Sequence, residues 1–255
     1  MIVGTSANRA RKLESHNYSI EVKIGGVNTL ETKSERLLGI VVNNTGTWKN
    51  HIYGDEENDG LIPQLNKRIG VLKRLRKYMS DSKFRIMVHG IFISKLTYGI
   101  SVWGGVWGLQ SYDEENRKCV AISKEDMRKL QVLQNTVMRL MTGLDVRTST
   151  ADLCNRSNLL SVHQLVAYHS VNQVYKIYHT QRPAYHYDRL FSVDRRRNNA
   201  MRIDFNLSLG RTSFFYYASR LWNNLPVELR MCASYDAFKF GSRMWIRDNI
   251  QVRPS

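Results

Sequence analysis

Apolar residues recur along this chain with two different periods. Tyr18, Ile20, Val22 and Ile24 alternate with polar residues, which predicts a strand with one face on a core and one in solvent. Gly25-Gly26 supplies turn residues that tolerate positive φ, and Val27 opens the return strand. Leu37-Leu38-Gly39-Ile40-Val41-Val42 is nearly continuous apolar sequence, which predicts a strand covered on both faces. Asp55-Glu56-Glu57-Asn58-Asp59-Gly60 then reads as a solvated loop, and beyond it the period becomes helical. Leu61, Leu65, Ile69, Leu72 and Leu75 predict one helix. Phe84, Met87, Val88, Ile91 and Phe92 predict a second, running from Ser82 towards Leu96.

Leu96-Thr97-Tyr98-Gly99-Ile100 ends that helix, with glycines that let the backbone turn. Ser123-Lys124-Glu125-Asp126 has the pattern of a helix N-terminus, an acid lying three residues after a capping serine. Met127, Leu130, Leu133, Val137, Met138 and Met141 make the apolar face of that helix, and Gly143 stops it. Ser161 caps a further helix bearing Val162, Leu165, Val166, His169, Val174 and Ile177, closed by Pro183. Ile203, Phe205, Leu207 and Leu209 alternate as a short strand, residues 213–224 form an aromatic-rich stretch, and a last helix starts at Ser234 with Phe238, Trp245 and Ile246 packed. The fold class is therefore mainly α with a small N-terminal β-hairpin region (α+β), with domains expected over residues 1–52, 53–110 and 111–255.

Charge changes this picture more than composition does. With 42% hydrophobic and 10% aromatic residues in 255, the chain has the make-up of a folded protein with a sizeable core. Its net charge of +16 calls for an anionic partner, nucleic acid before a membrane surface. No signal-peptide core opens the sequence, and no window approaches the roughly 18 apolar residues of a membrane span. Cys119, Cys154 and Cys232 form neither a disulfide framework nor a zinc set, so an intracellular protein of nucleus or cytoplasm is expected, without a membrane. From residue 65 to 95 the basic residues are Lys67, Arg68, Lys73, Arg74, Arg76, Lys77, Lys83, Arg85 and Lys95, and the one acid is Asp81. An ordinary solvated helix face mixes Glu with Lys in i,i+4 pairs, and this one does not.

Helical facing puts Lys67, Lys73, Arg74 and Lys77 opposite the apolar stripe, with Arg68 and Arg76 at its edges. Together with Lys83 and Arg85 they are the expected contacts to a nucleic-acid backbone, with Arg195, Arg196 and Arg197 as a secondary patch or a localisation signal. Tyr98, Trp103 and Trp107 are base-stacking candidates for which a core role is the simpler expectation. Catalytic chemistry finds little support. The histidines His163, His169, His179 and His186 do not share a helical face at i,i+4, the loop at residues 55–60 lacks a calcium-site pattern, and no Asp-Asp dipeptide occurs. No catalytic or metal residue is assigned.

Several blocks, in this order and spacing, resemble the C-terminal part of reverse transcriptases from non-LTR (LINE, jockey-like) retrotransposons. They are Leu37-Leu38-Gly39-Ile40 with Trp48 and His51-Ile52; Ile69-Gly70-Val71-Leu72 with Leu75-Arg76-Lys77-Tyr78; and Leu96-Thr97-Tyr98-Gly99-Ile100 with Trp103-Gly104. Residues 130–143 match a helix in which Leu-Gln and Gln-Asn precede an Arg and a closing Thr-Gly. Ser213-Phe214, Tyr217, Leu221-Trp222-Asn223-Asn224-Leu225-Pro226 and Phe238-Lys239 match a later block. The resemblance implies the end of a polymerase palm, a helical thumb and a helical C-terminal domain, with Leu38, Gly39 and Ile40 as primer grip. It implies RNA or an RNA–DNA duplex as partner, together with the fingers and palm of a parent polyprotein. In the family the catalytic aspartates lie upstream of the position equivalent to Met1, so the chain is expected to be a fragment inactive by itself. No cofactor is expected in it, since Mg2+ belongs to that palm. Two other readings stay open at this point: a domesticated, non-enzymatic nucleic-acid-binding protein, and a helical interaction domain with an acidic partner.

Overall fold

The computed structural model describes residues 22–24, 26–29, 32–105, 122–191 and 214–252. They are mostly helical, with two short antiparallel hairpins near the start: β1 (Val22–Ile24) with β2 (Val27–Thr29), and β3 (Ser34–Leu37) with β4 (Ile40–Asn43). The mainly α class with a small β beginning is thus the observed one. The chain divides into two compact units, Met1–Gln64 and Leu65–Ser255. Residues 106–121, where the sequence places a domain boundary, lie outside the described residues, as do Trp107, Cys119, the strand expected at 203–209, and Arg195, Arg196 and Arg197.

In the first unit, the apolar run at residues 37–42 is not one doubly covered strand. It is the tip of the β3–β4 hairpin, in register Leu37↔Ile40, with Leu38-Gly39 as its two-residue turn. Both turn residues have positive φ, 49° and 82°, the combination whose twist matches that of paired strands. Glycine tolerates this and leucine seldom does. The turn therefore sends Leu37 and Leu38 into solvent, 66% and 85% exposed, while Val41 is buried. Helix α1 (Lys49–Tyr53) packs on β4, where the Val41 N–H donates to His51 Nδ1 at 3.4 Å. The acidic loop is tighter than a solvated loop. Asp55 Oδ1 accepts from the backbone N–H of Asn58 at 2.8 Å and of Glu57 at 3.2 Å, and Ser34 Oγ donates to Asp55 Oδ2 at 2.8 Å. Hydrogen bonding, from Ser34 first, holds the Asp55 carboxyl below its ordinary pKa. A Cβ on Gly60 would come within 2.2 Å of Gly54 N, so the loop closes through two glycine backbones.

Helix α2 (Leu61–Arg76) begins before the division and runs on through it. In the second unit a long helix follows, made of α3 (Asp81–Val88), a π-helical stretch His89–Ile93 and α4 (Ser94–Thr97). Phe84, Val88 and Phe92 are buried along it, as the sequence predicts, and so is Leu96, whereas Met87 and Ile91 are half-buried. Tyr98 breaks the helix with extended backbone and Gly99 with φ 61°, and α5 (Ile100–Trp103) restarts it. Residues 81–103 together reach the length and apolarity of a membrane span. That stretch is broken at Tyr98-Gly99 and carries Asp81, Lys83, Arg85 and Lys95; Phe84, Val88, Phe92 and Leu96 are buried in it, while Ile86 and Val102 are exposed.

Helices α6 (Lys124–Thr142), α7 (Thr150–Ser157), α8 (Val162–Thr180), α9 (Ala184–Phe191), α10 (Phe214–Asn224), α11 (Val227–Arg230) and α12 (Tyr235–Asn249) complete the second unit. The expected caps are present. Ser123 forms a capping box with Asp126, Ser161 forms one with Gln164, Ser234 caps α12, and Gly143 ends α6 with φ 70°. Pro183 does close α8, and it also leads into α9, which the sequence did not announce. Helix α8 is the centre, with α5, α6, α10 and α12 against it. Polar side chains join several of these helices: Gln134 Nε2 donates to the Leu160 carbonyl at 2.8 Å, Asn135 Nδ2 to Thr150 Oγ1 at 2.9 Å, and the Val162 N–H to Gln131 Oε1 at 2.8 Å. Each group is buried and partnered, which is what makes such a network tolerable inside a core.

Candidate nucleic-acid interface

Helix α2 presents two opposite faces. Leu65, Ile69 and Leu72 are buried, and Leu75 is half-buried. On the far side Lys67, Val71 and Arg74 recur at helical spacing, and all three are exposed. Lys73 is exposed beside this ridge, Lys77 and Tyr78 extend it into the turn after the helix, and Lys83 is exposed in the first turns of α3. The Lys77 ammonium sits 5.2 Å from the centroid of the Tyr78 ring, itself 77% exposed. Gly70 lies on the same outer side, and a Cβ added there would meet nothing within 4 Å. A mid-helix glycine costs about 1 kcal/mol relative to alanine, so this ridge keeps an open backbone without any packing reason for it.

The arginines of the segment divide differently from the lysines. Arg68 Nη1 donates to the carbonyl of Ile91 at 2.7 Å, inside the π-helical stretch. Arg76 Nε donates to the carbonyl of Leu140 at 2.8 Å, in the last turn of α6, where helical carbonyls have no intrahelical partner. Its Nη2 pairs with Asp81 at 2.7 Å, and its guanidinium lies 5.1 Å from the Phe84 centroid. Arg85, expected beside Lys83 as a backbone contact, donates through Nη1 to the carbonyl of Ser157 at the end of α7. The planar fork of a guanidinium suits it to such joints, while a lysine offers a mobile point charge. Arg74 is the arginine of this segment that stays on the outer ridge.

Of the remaining expected site residues, Leu38, Gly39 and Ile40 are the tip of the β3–β4 hairpin in the first unit. Tyr98 is 51% exposed. Trp103 is fully buried, with Nε1 donating to the Tyr98 carbonyl at 2.9 Å, so its role is in the core. The blocks quoted from the sequence have structural work to do as well. A Cβ on Gly104 would meet the Ile100 carbonyl oxygen at 2.5 Å, Trp222 and Leu225 are buried, and Tyr217 donates to the Ser101 carbonyl from a fully buried position. Burial pushes the Cys154 thiol up to about 11, the opposite of an activated nucleophile. Among the described residues no three His, Cys, Asp or Glu side chains come together.

One set of residues was passed over in the sequence. Tyr235, Lys239, Arg243 and Arg247 recur every four positions and make one ridge of α12. Arg243 Nη2 donates to the Asn158 carbonyl at 2.7 Å, while Arg247 donates to Asn158 Oδ1 and Asn155 Oδ1, both at 3.1 Å. His89 lies near enough to feel the charge of this group. Burial first, then the charges of Arg243 and Arg85, hold its imidazole below the ordinary pKa. The i,i+4 spacing was visible in the sequence, and its meeting with α3 and α7 was not.

Comparison of the chain with family models, with curated proteins and with solved structures finds no match in any of the three.

Proposed function

We propose that this chain is the thumb and post-thumb part of a non-LTR retrotransposon reverse transcriptase, and that it binds RNA or an RNA–DNA duplex through the sugar–phosphate backbone. The observation that carries the proposal is the α2 ridge: Lys67, Lys73, Arg74 and Lys77 are exposed along one helix whose other face is core, and the helix contains no acid. Cations held in a row, with no carboxylate in the same helix, favour a polyanion and carry no base-edge readout, so binding is non-specific in sequence. In this reading the β3–β4 tip, with Leu38 exposed, is the primer grip. Polymerisation belongs to aspartates that this sequence does not contain as an Asp-Asp pair.

A salt titration of binding to an RNA–DNA hybrid tests the reading. Five basic residues of the segment are exposed, namely Lys67, Lys73, Arg74, Lys77 and Lys83, once Arg85 is set aside as the support of Ser157. At about 0.9 per phosphate, the slope of log K against log salt from this surface reaches at most about 4.5. Replacing Lys73, Arg74 and Lys77 by Gln should flatten the slope by about 2 to 3 and weaken binding equally on unrelated sequences. Absence of binding at low salt, or a slope near zero, refutes the proposal.

A further inference from the structure

We propose that Arg85, His89, Arg243 and Arg247 form a second phosphate-binding surface, made by α3, the π-helical stretch and α12 around the end of α7. The proposal rests on the nucleic-acid reading above and adds a separate site to it. Arg85 and Arg243 donate to the carbonyls of adjacent residues, Ser157 and Asn158, so the two guanidiniums are held as neighbours. Arg247 is anchored one turn further along α12, on the side-chain oxygens of Asn155 and Asn158. The carboxylates of Asp81, Glu125 and Asp236 pair with Arg76, Arg128 and Lys239, and none of them serves the cluster.

Capping the end of α7 accounts for part of this arrangement. A helix C-terminus leaves its last carbonyls without intrahelical partners, and cations nearby are favourable to it. Here three guanidiniums converge, with an imidazole near enough to feel the charge of two of them. Arg85 and Arg243 each use one N–H at the end of α7, of the five that an arginine carries, which leaves a fork open to a ligand. After burial, the charges of Arg243 and Arg85 lower the His89 pKa, and the group as a whole is left with a positive repulsion. A bridging phosphate removes it. Arg243 and Arg247 are half-buried, and Arg85 and His89 are exposed, so the group is reachable from solvent. The ridge continues along α12 to Lys239 and to Tyr235, whose ring has the ammonium groups of Lys239 and Lys176 at 4.9 and 5.2 Å. Lys239 is itself paired with Asp236, so Arg243 and Arg247 are the phosphate-binding part of the ridge.

The test uses the full chain, an RNA–DNA hybrid oligonucleotide and three proteins: wild type, Arg243→Gln/Arg247→Gln, and Lys73→Gln/Arg74→Gln. The α12 variant should bind more weakly, with a salt slope lower by about one for each phosphate it no longer holds. Wild-type binding that the α12 variant matches in affinity and slope overturns this inference and leaves the α2 reading standing. No binding by wild type sinks both. Because Arg243 and Arg247 also support α7, the wild-type chain supplies a readout free of folding effects. The His89 ring resonances, assigned by comparison with His89→Gln, should shift as hybrid is added. Resonances that stay in place at saturation overturn the proposal whatever the variant does.

Discussion

Arg76 is the residue at which charge and architecture are most easily confused, and replacing it by Met separates them. Four interactions end at its guanidinium, the longest hydrogen bond being from Nη1 to the Met79 carbonyl at 3.3 Å. The Nε bond to Leu140 O at 2.8 Å satisfies a helix-end carbonyl, and a hydrogen bond from a charged donor contributes about 1.5–3 kcal/mol. The cation over Phe84, at 5.1 Å, adds about 0.5–1 kcal/mol. The pair with Asp81 is short, but the Asp81 side chain is 83% exposed, and such pairs contribute about 0–1 kcal/mol. Arg76→Met keeps the aliphatic stem and should destabilise by about 2–4 kcal/mol, mostly through the stranded Leu140 carbonyl. Asp81→Asn should cost about 1 kcal/mol at most, including the removal of a negative charge from the start of α3. Urea unfolding of wild type and both single variants, followed by circular dichroism, reads these differences as midpoint shifts at constant slope. If Asp81→Asn destabilises as much as Arg76→Met, the ion pair dominates and the carbonyl argument is wrong. Arg74→Gln, two residues away on the exposed ridge, should leave the midpoint unchanged and weaken hybrid binding.

The other predictions concern backbone and protons. Leu38→Asn should stabilise the β3–β4 hairpin by about 1 kcal/mol, because asparagine tolerates the φ of 49° that leucine resists; an unchanged or lower melting temperature contradicts the strain. Gly60→Ala should destabilise by about 3 kcal/mol or more, since its Cβ would strike Gly54 N and Tyr53 C at 2.2 Å, both backbone atoms; a wild-type melt would show that the loop relaxes freely. His89 and His169 both have folded pKa values lowered from 6.5, burial being the first cause in each. The unfolded chain therefore binds protons that the fold refuses. Their stabilisation is full above about pH 6.5 and is lost as pH falls towards the lowered values, so the urea midpoint should drop between about pH 7.5 and 5. Removing both imidazoles as His89→Gln/His169→Gln should flatten that stretch of the profile, and a profile of unchanged slope rejects the assignment.

The helices of this chain were legible where one rule decided them. The stripe of Leu65, Ile69 and Leu72, the Ser123 and Ser161 caps and the Gly143 stop all follow from spacing and local capping chemistry, and all are present. The β3–β4 hairpin was less legible from pattern alone, because a run of apolar residues looks the same as a buried strand and as two strand ends around Leu38-Gly39. Length decides between the two, and the turn needs positive φ at a leucine, which no propensity would suggest. Gln131, Gln134 and Asn135 were unreadable for another reason. Polar residues on a helix are assigned to solvent unless their partners are known, and these partners lie on α7 and at the start of α8, 15 to 31 residues away.

The same limit shapes the candidate site, and it bears on what a net charge of +16 means. The basic residues between 65 and 95 look equivalent in sequence. In the fold, Arg68, Arg76 and Arg85 reach carbonyls of Ile91, Leu140 and Ser157, and Lys95 is half-buried, whereas Lys67, Lys73, Arg74, Lys77 and Lys83 are exposed. A salt slope built from sequence charge would be about 8, and one built from the structure about 4.5 at most. A measured slope well above the lower figure draws on cations outside α2, among them the arginine ridge of α12 and exposed residues such as Lys124, Arg147 and Arg156. The α2 and α12 variants each remove the share of the slope that their own surface carries, which makes the two surfaces separable by a single kind of measurement.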